Sequence, residues 1–320
     1  MKLFKLLPIA VVAALSSIAG TAWCYDASSP GATITVNYID GAGFGFNDAT
    51  LGTSRKTALE FALNIWASKI KATVPIIVDA RCQALGGTGV SATLANAGAQ
   101  QVASTAGGWV PHPNTNYPLL LMNQYAGSDL SVPTNDILVT VNSDVDNATV
   151  LGSIDFYYGT DSNPGSDVDF VSVILHELGH GFGFLTFMNS SGTLFSGLPD
   201  VFELNLIQTP GGSLNAMSDA GRAAAQISGQ LFWDGTSVKN RYNPSTLTSY
   251  GNVKMYAPGV FENGSSTSHF DTSNSPNLLM EPAYTGANHN PDITPNALKD
   301  VGWFFTAASL PVSLTNLSAE

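Results

Sequence analysis

Charged residues are scarce in this sequence. Only 11% of its 320 residues are Asp, Glu, Lys or Arg, and 12 basic residues stand against 24 acidic ones, so the formal net charge is −12. Such a chain lacks the basic surface that nucleic acids bind, and we expect no nucleic-acid partner. Disorder is not expected either, because 44% of the residues are hydrophobic and can form a large core.

Cysteine is almost absent. Cys24 and Cys82 are the only two, and neither belongs to a C-x-x-C pair or a similar ligand spacing, which argues against a metal bound through sulfur. In an exported chain that is cleaved before Cys24, the two thiols could instead form a disulfide. The sequence leaves their pairing open.

Long apolar runs are missing except at the N-terminus. There, two lysines precede an apolar run that ends in small residues, in MKLFKLLPIAVVAALSSIAGTAWC. This predicts a signal peptide over residues 1–22 and a secreted, extracellular protein, with the periplasm as the other destination. A membrane anchor is the alternative, but Ser16, Ser17 and Gly20 interrupt the run. No later segment has the roughly 18 apolar residues that a span needs, so we expect none after signal removal.

Hydrophobic periodicity predicts regular elements in the first half of the chain. Residues 33–39, 74–85 and 136–143 have the composition and alternation of strands. Residues 55–70 repeat apolar side chains at helical spacing, which predicts an amphipathic helix with Ser54 as N-cap. We therefore expect a mixed sheet with a helix laid across it.

The second half is rich in turn residues. Only residues 218–229 and 294–303 predict helices there. We expect an α+β fold whose upper lobe holds the sheet and whose lower lobe is irregular, mostly helical or coil. We expect a signal peptide at residues 1–22 and one domain at residues 23–305. The domain has an upper lobe of about 30–183 and a lower lobe of about 184–305. Residues 306–320 would be a C-terminal tail or the start of a truncated extension.

The segment HELGHGFGF contains the pattern H-E-x-x-H at His176, Glu177 and His180. Asp167 and Asp169 precede it as candidate N-caps of a mostly buried helix. Side chains four residues apart project from the same helical face, so the two histidines can reach one ion. Zn²⁺ suits imidazole ligands, and Glu177 lies beside them, where a carboxylate can act as general base towards water.

A catalytic zinc site needs a third protein ligand and keeps a fourth position open. Position 186, where one common extension of the motif has a histidine, holds Thr186, and a neutral hydroxyl is a poor zinc ligand. Gly183 lets the helix stop and the chain turn away, so the ligand can come from far downstream.

Four residues are candidates for that ligand: His112, His269, His289 and Glu203. His112 and His289 lie in Pro-flanked loops without a partner motif, whereas His269 lies 11 residues before Met280. Glu203 would act as a carboxylate ligand from a second helix, as in gluzincin-type peptidases.

HELGHGFGF, followed after a long insertion by GSSTSHFDTSNSPNLLMEP, resembles the leishmanolysin-like branch of the metzincin metallopeptidases. The resemblance implies a metzincin-like zincin fold with a distant third ligand. It implies that His176, His180 and His269 bind one catalytic zinc ion and that Glu177 is the general base. It also implies that Gly183 is the turn glycine and that Met280 lies in a turn beneath the metal.

These residues predict a secreted zinc-dependent endopeptidase with a polypeptide substrate. Glu177 would take a proton from a metal-activated water and pass it to the leaving amine. The substrate would lie extended along an edge strand, with FYYGT at residues 156–160 as a candidate. An exported binding or adhesion protein with a structural metal site is one alternative, and a zinc hydrolase acting on other substrates is another.

Two further features have a functional and a structural interpretation. The acidic run DSNPGSDVD, residues 161–169, could hold Ca²⁺ or could be a solvated loop that caps the helix. Tyr284 could donate to an oxyanion or lie at the rim of a cleft. The oligomeric state is not indicated by the sequence.

Overall fold

The computed structural model describes residues 5–8, 24–28, 31–130, 134–243, 248–249 and 252–305. The expected tail, residues 306–320, and most of the expected signal peptide lie outside the described residues. The side chain of Cys24 also lies outside them, while Cys82 is a buried free thiol.

Within the described ranges, six α-helices and several sheets form a mixed α and β fold, compatible with the expected α+β class. The helices are α1 (Gly52–Lys69), α2 (Leu119–Ala126), α3 (Phe170–Gly181), α4 (Asp219–Ala225), α5 (Thr236–Lys239) and α6 (Thr294–Val301). No helix in the described ranges has the length and apolar character needed to cross a membrane.

The largest sheet has six strands in the order β1-β6-β9-β5-β3-β2. Its strands are β1 (Lys5–Pro8), β2 (Cys24–Ser28), β3 (Thr33–Tyr38), β5 (Ile76–Gln83), β6 (Thr93–Ala99) and β9 (Ile137–Asn142), with the two-residue β4 (Ile70–Lys71) between β3 and β5 in the chain. β9, β5 and β3 run parallel, β6 runs antiparallel to β9, and β1 pairs with β6 in parallel. The three strands predicted from periodicity are confirmed.

Helix α1 packs on α3 beside this sheet. Its predicted apolar face is buried, and the indole of Trp66 donates to the carbonyl of Leu175 in α3 at 3.1 Å. The predicted N-cap Ser54 is wrong, because the helix begins at Gly52. The carboxylate of Asp48 instead accepts the N–H groups of Thr50 and Leu51, each at 2.8 Å, and thus satisfies the turn that leads into the helix.

Short strands are numerous after β6. They pair in small sheets and are β7 (Val102–Ser104), β8 (Asn116–Pro118), β10 (Phe156–Tyr157), β11 (Val168–Asp169), β12 (Leu206–Gln208), β13 (Gly212–Ser213), β14 (Leu231–Trp233), β15 (Tyr242–Asn243), β16 (Thr248–Ser249), β17 (Val253–Lys254) and β18 (Phe304–Phe305). A four-stranded antiparallel sheet, β13-β12-β14-β17, lies in the second half, so that half contains more strand structure than we expected. The candidate edge strand at residues 156–160 belongs to a separate pair, β10 with β11.

The two helices predicted in the second half are present but shorter. Ser218 caps α4 by accepting from the N–H of Gly221, and α4 ends at Ala225 rather than at residue 229. α6 is followed by Trp303, whose indole donates to the carbonyl of Phe182 at 2.7 Å, just after α3. The C-terminal helix is therefore tied to the end of the helix that carries the H-E-x-x-H motif.

Candidate metal centre

Helix α3 positions the first two histidines. Asp169 is its N-cap, and the carboxylate accepts the N–H of Ser172 at 2.7 Å, as predicted. Asp167 is not a cap; its carboxylate lies 3.4 Å from the N–H of Asp155. Every residue of the helix is buried, so His176 and His180 project into the interior rather than to solvent.

His269 joins these two histidines from a loop that follows β17. The Nε2 atoms of His176 and His180 lie 3.0 Å apart, and the Nε2 of His269 lies 3.2 Å and 3.1 Å from them. All three side chains are at most 1% exposed. The expected convergence of three imidazoles is confirmed, and their ligand atoms are close enough to bind one metal ion.

The outer nitrogen of each ring lies against a backbone carbonyl. Nδ1 of His176 is 2.7 Å from the carbonyl oxygen of Leu279, that of His180 is 2.7 Å from Phe184, and that of His269 is 2.9 Å from Ser265. A carbonyl only accepts, so each Nδ1 carries the proton and each Nε2 presents a lone pair. The three lone pairs point at one another, with no hydrogen between them.

Lone pairs that face one another repel, and a positive species at their centre would remove this repulsion. A proton is disfavoured, because burial lowers the pKa of each ring, to about 4 for His180 and well below the ordinary value for His176 and His269. A metal ion fits instead, since ligating histidines characteristically donate their second ring nitrogen to a carbonyl or carboxylate. Two nitrogens at about 2.0–2.1 Å from a tetrahedral zinc ion lie roughly 3.3–3.4 Å apart, near the distances observed.

Glu177 is fully buried next to this group. Neither carboxylate oxygen has a partner with good hydrogen-bond distance and angle among the described residues, which is rare for a buried acid, although the backbone N–H of Ala97 in β6 lies near enough to lower the pKa slightly. Burial raises the pKa of Glu177 well above its ordinary value. A carboxyl group with both oxygens unused can accept a proton or bind a water molecule.

Gly183 and Met280 shape the surroundings. Gly183 has φ = 107°, and a Cβ atom there would lie 2.9 Å from Cγ of Pro118, so only glycine fits the turn that follows α3. Met280 is fully buried, and a Cβ atom at Gly179 would lie 2.6 Å from its sulfur. Met280 therefore packs directly on α3 at Gly179, one residue before His180.

The structure places the other candidate ligands elsewhere. Within the described ranges, no further group of three His, Cys, Asp or Glu brings ligand atoms as close together, so residues 161–169 form no such group for Ca²⁺. His289 bonds instead to the carboxylate of Asp169, 2.9 Å from its Nε2. His112 is exposed, and Glu203 is buried outside the three-histidine group.

A cleft of about 390 Å³ opens beside His176. Its walls are α3 and residues 276–279 and 283–288, and they include Ser172, Val173, Leu279, Ala283, Tyr284 and Asn288. The hydroxyl of Tyr284 accepts the N–H of Asp169 at 2.9 Å, so this tyrosine ties the cleft wall to the start of α3. The cleft therefore reaches the histidine group on the side of His176.

Sequence reasoning missed the groups that hold the rings in place. The carbonyls of Phe184, Ser265 and Leu279 carry no residue-type signature, since every residue has one. Asp292 was also missed: its carboxylate accepts the N–H of Leu279 and so holds the segment whose carbonyl orients His176. Only its position, 12 residues after Met280 in a loop before a helix, could have suggested it.

A comparison of this chain with known protein families, with curated proteins and with solved structures found no significant match.

Proposed function

We propose that this chain is an exported, zinc-dependent endopeptidase. The observation that carries the proposal is the convergence of three Nε2 lone pairs beside a buried carboxyl group with no partner. Three neutral nitrogen ligands and an adjacent acid are the donor set of catalytic rather than structural zinc sites, which take four protein ligands.

The roles of the residues follow from their positions. His176, His180 and His269 would hold the ion through Nε2, and the carbonyls at Nδ1 keep each ring in the tautomer that binds metal. When bound, zinc supplies a Lewis acid for the scissile carbonyl and lowers the pKa of a water molecule. Glu177 accepts a proton from that water on its carboxylate and later donates it to the leaving amine.

The edge of the large sheet offers a place for an extended substrate. β6 packs on α3, and β1 pairs along its outer side. β1 lies within the expected signal peptide, residues 1–22, so export would remove it and expose the edge of β6 that faces away from β9. A polypeptide could then add to β6 as a further strand, within reach of the metal centre.

The cleft beside His176 favours an uncharged substrate side chain. Its lining combines apolar groups such as Val173 and Leu279 with neutral polar groups such as Ser172 and Asn288, and it contains no Lys, Arg, Asp or Glu. A charged side chain would lose hydration there without gaining a partner. We therefore propose that the residue bound in this cleft is neutral.

The same features support a place among leishmanolysin-like metzincins. The motif helix, the glycine turn at Gly183, the ligand from 89 residues beyond His180 and the methionine packed on α3 occur in the order that this resemblance implies. The proposed domain is then residues 23–305, with lobes of about 30–183 and about 184–305 and the metal centre between them.

Hydrolysis of casein by the purified, processed protein tests the proposal. We expect activity that a chelator abolishes and zinc restores, and a loss of at least about a hundredfold in Glu177→Ala with zinc still bound. Glu60→Ala, which alters a partly exposed acid bonded to Tyr38, is the matched control. Equal rates for the wild type and Glu177→Ala would end the general-base assignment, and zinc binding without any hydrolysis would favour the binding-protein alternative.

Zinc content of His269→Ala tests the third ligand separately. We expect this variant to lose tightly held zinc, because His176 and His180 alone provide only two protein ligands, both from α3. Stoichiometric zinc that withstands dialysis in His269→Ala would move the assignment to Glu203 or His289.

A further inference from the structure

Thr186 occupies the position at which the short form of the motif would carry its third ligand. Its side chain is 8% exposed and lies in the interior. Its N–H donates to the hydroxyl oxygen of Ser268 at 3.2 Å, across 82 residues of chain. Ser268 immediately precedes His269, so Thr186 is bonded to the segment that carries the distant histidine.

The side chain of Thr186 is itself held by a buried acid. Its hydroxyl donates to the carboxylate of Asp200 at 2.8 Å and accepts the N–H of Met188 at 3.1 Å. The same carboxylate accepts the N–H of Phe187 at 2.7 Å and that of Glu203 at 2.6 Å, and Asp200 is only 2% exposed. These bonds hold residues 186–188 in the conformation in which the N–H of Thr186 faces Ser268.

One short segment therefore supports the ring of His180 and also contacts the residue next to His269. The carbonyl of Phe184 accepts from the ring of His180, and two residues later Thr186 holds Ser268. A displacement of residues 184–186 would therefore move both the ring of His180 and the backbone that precedes His269. A hydrophobic residue at position 186 could fill the space but would leave Asp200 without this donor.

We propose that Thr186, oriented by Asp200, is a positioning residue for the metal centre: through Ser268 it sets the distance between His269 and the two histidines of α3. The inference rests on the proposed metal binding. Thr186 then supports the metal centre without contacting the ion. Its bonds to Ser268 and Asp200 take the place of the metal–nitrogen bond that a histidine at position 186 would make.

The test measures zinc affinity and the visible spectrum of Co²⁺-loaded protein in four variants of the full processed chain. Thr186→Val removes the hydroxyl at nearly constant volume, and Ser268→Ala removes the acceptor. We expect each to weaken zinc binding about tenfold and to alter the Co²⁺ spectrum, as loss of a supporting bond around metal ligands characteristically does. Thr186→Ser keeps the hydroxyl and should remain within about twofold of the wild type.

Thr193→Val is the matched control. It removes a hydrogen bond from a threonine to the carboxylate of Asp219, 3.2 Å away, at an exposed site, and should leave zinc affinity and spectrum unchanged. Urea unfolding of the chelator-treated proteins separates positioning from stability. Ser268→Ala keeps the test decisive if Thr186→Val does not fold.

Wild-type affinity and spectrum in both Thr186→Val and Ser268→Ala would overturn the inference, even if the metal-free variants are less stable. So would equal weakening in Thr186→Val and Thr186→Ser, because the hydroxyl would then be irrelevant. If the wild type itself binds no zinc, the proposed function and this inference both fail. If His269→Ala retains tight zinc while the wild type binds it, the assigned ligand set fails, and this inference with it.

Discussion

At the residue scale, the candidate metal centre combines features that can be predicted from the sequence with others that cannot. His176 and His180 were predictable because the helical period brings residues four apart to one face. His269 was favoured by its distance from Met280, and the structure brings it to the other two. The carbonyl partners of the three rings, and the bond between Thr186 and Ser268, depend on backbone paths that no residue type encodes.

Glu203 was a candidate metal ligand, but its position in the structure predicts an effect on the pH dependence of stability. It is fully buried, and burial, followed by the charge of Asp200, raises its pKa to about 7. The folded chain therefore holds a proton at Glu203 between about pH 4.5 and about pH 7 that the unfolded chain has released. The contribution of Glu203 to stability is complete below this window and is lost as the pH rises through it.

We expect Glu203→Gln to be close to the wild type at about pH 5 and more stable at about pH 8, by roughly 2–3 kcal/mol. Urea unfolding of both proteins at the two pH values gives the difference. Glu60→Gln should change little at either pH. A Glu203→Gln variant that is less stable than the wild type at about pH 8 would mean that Glu203 is a charged, partnered group.

Gly183→Ala should destabilise the folded protein by about 1–3 kcal/mol. The added Cβ meets Pro118, and the positive φ is strained for alanine. Because Gly183 precedes Phe184, whose carbonyl orients His180, zinc affinity should fall as well. Thermal unfolding and zinc titration measure the two effects, and Gly165→Ala, also at positive φ but with open space around it, separates strain from collision.

At the scale of elements, long periodic segments were predicted well and short ones were not. α1, α3, β3, β5 and β9 each contain enough residues for the apolar period to stand out. The strands of the second half have two or three residues, too few for any alternation, so their four-stranded sheet was missed. The N-cap of α1 was misassigned because the helix begins after Leu51, whose side chain cannot cap, while the carboxylate of Asp48 binds only the N–H groups of the preceding turn.

The start of α3 depends on one acid. The Oδ1 atom of Asp169 accepts from the backbone and the hydroxyl of Ser172, each at 2.7 Å, and lies 2.9 Å from Nε2 of His289. Asp169→Ala removes all three contacts and should cost about 2 kcal/mol or more of unfolding free energy, whereas Asp169→Asn keeps an oxygen at the cap and should cost less.

Chemical denaturation of both variants checks this order. Asp167→Ala, two residues earlier, is the control and should lie within about 0.5 kcal/mol of the wild type. If Asp167→Ala cost as much as Asp169→Ala, the cap would be wrongly assigned.

At the scale of the whole molecule, the histidine group joins distant parts of the chain. Two rings come from α3 and the third from His269, 89 residues beyond His180. An ion bound by all three would therefore cross-link α3 to the loop after β17 in the second half of the chain. Because the unfolded chain has no such site, binding stabilises the folded state by mass action.

Removal of metal should therefore lower the unfolding temperature. At free zinc a thousandfold above the dissociation constant, the stabilisation is about 4 kcal/mol, and excess chelator should abolish it. Differential scanning calorimetry with and without chelator measures the shift. His269→Ala should unfold at the same temperature in both conditions, and a chelator-dependent shift in that variant would contradict a three-histidine centre.

The carbonyls of Phe184, Ser265 and Leu279 orient the three rings through contacts that involve no ion. An incoming cation would consequently meet donors already aimed at their common target, and the chain would need little rearrangement to receive it. The speed of loading should then follow how readily the aqueous cation sheds its hydration shell, so that stopped-flow uptake differs between metals far more than between variants remote from the cluster.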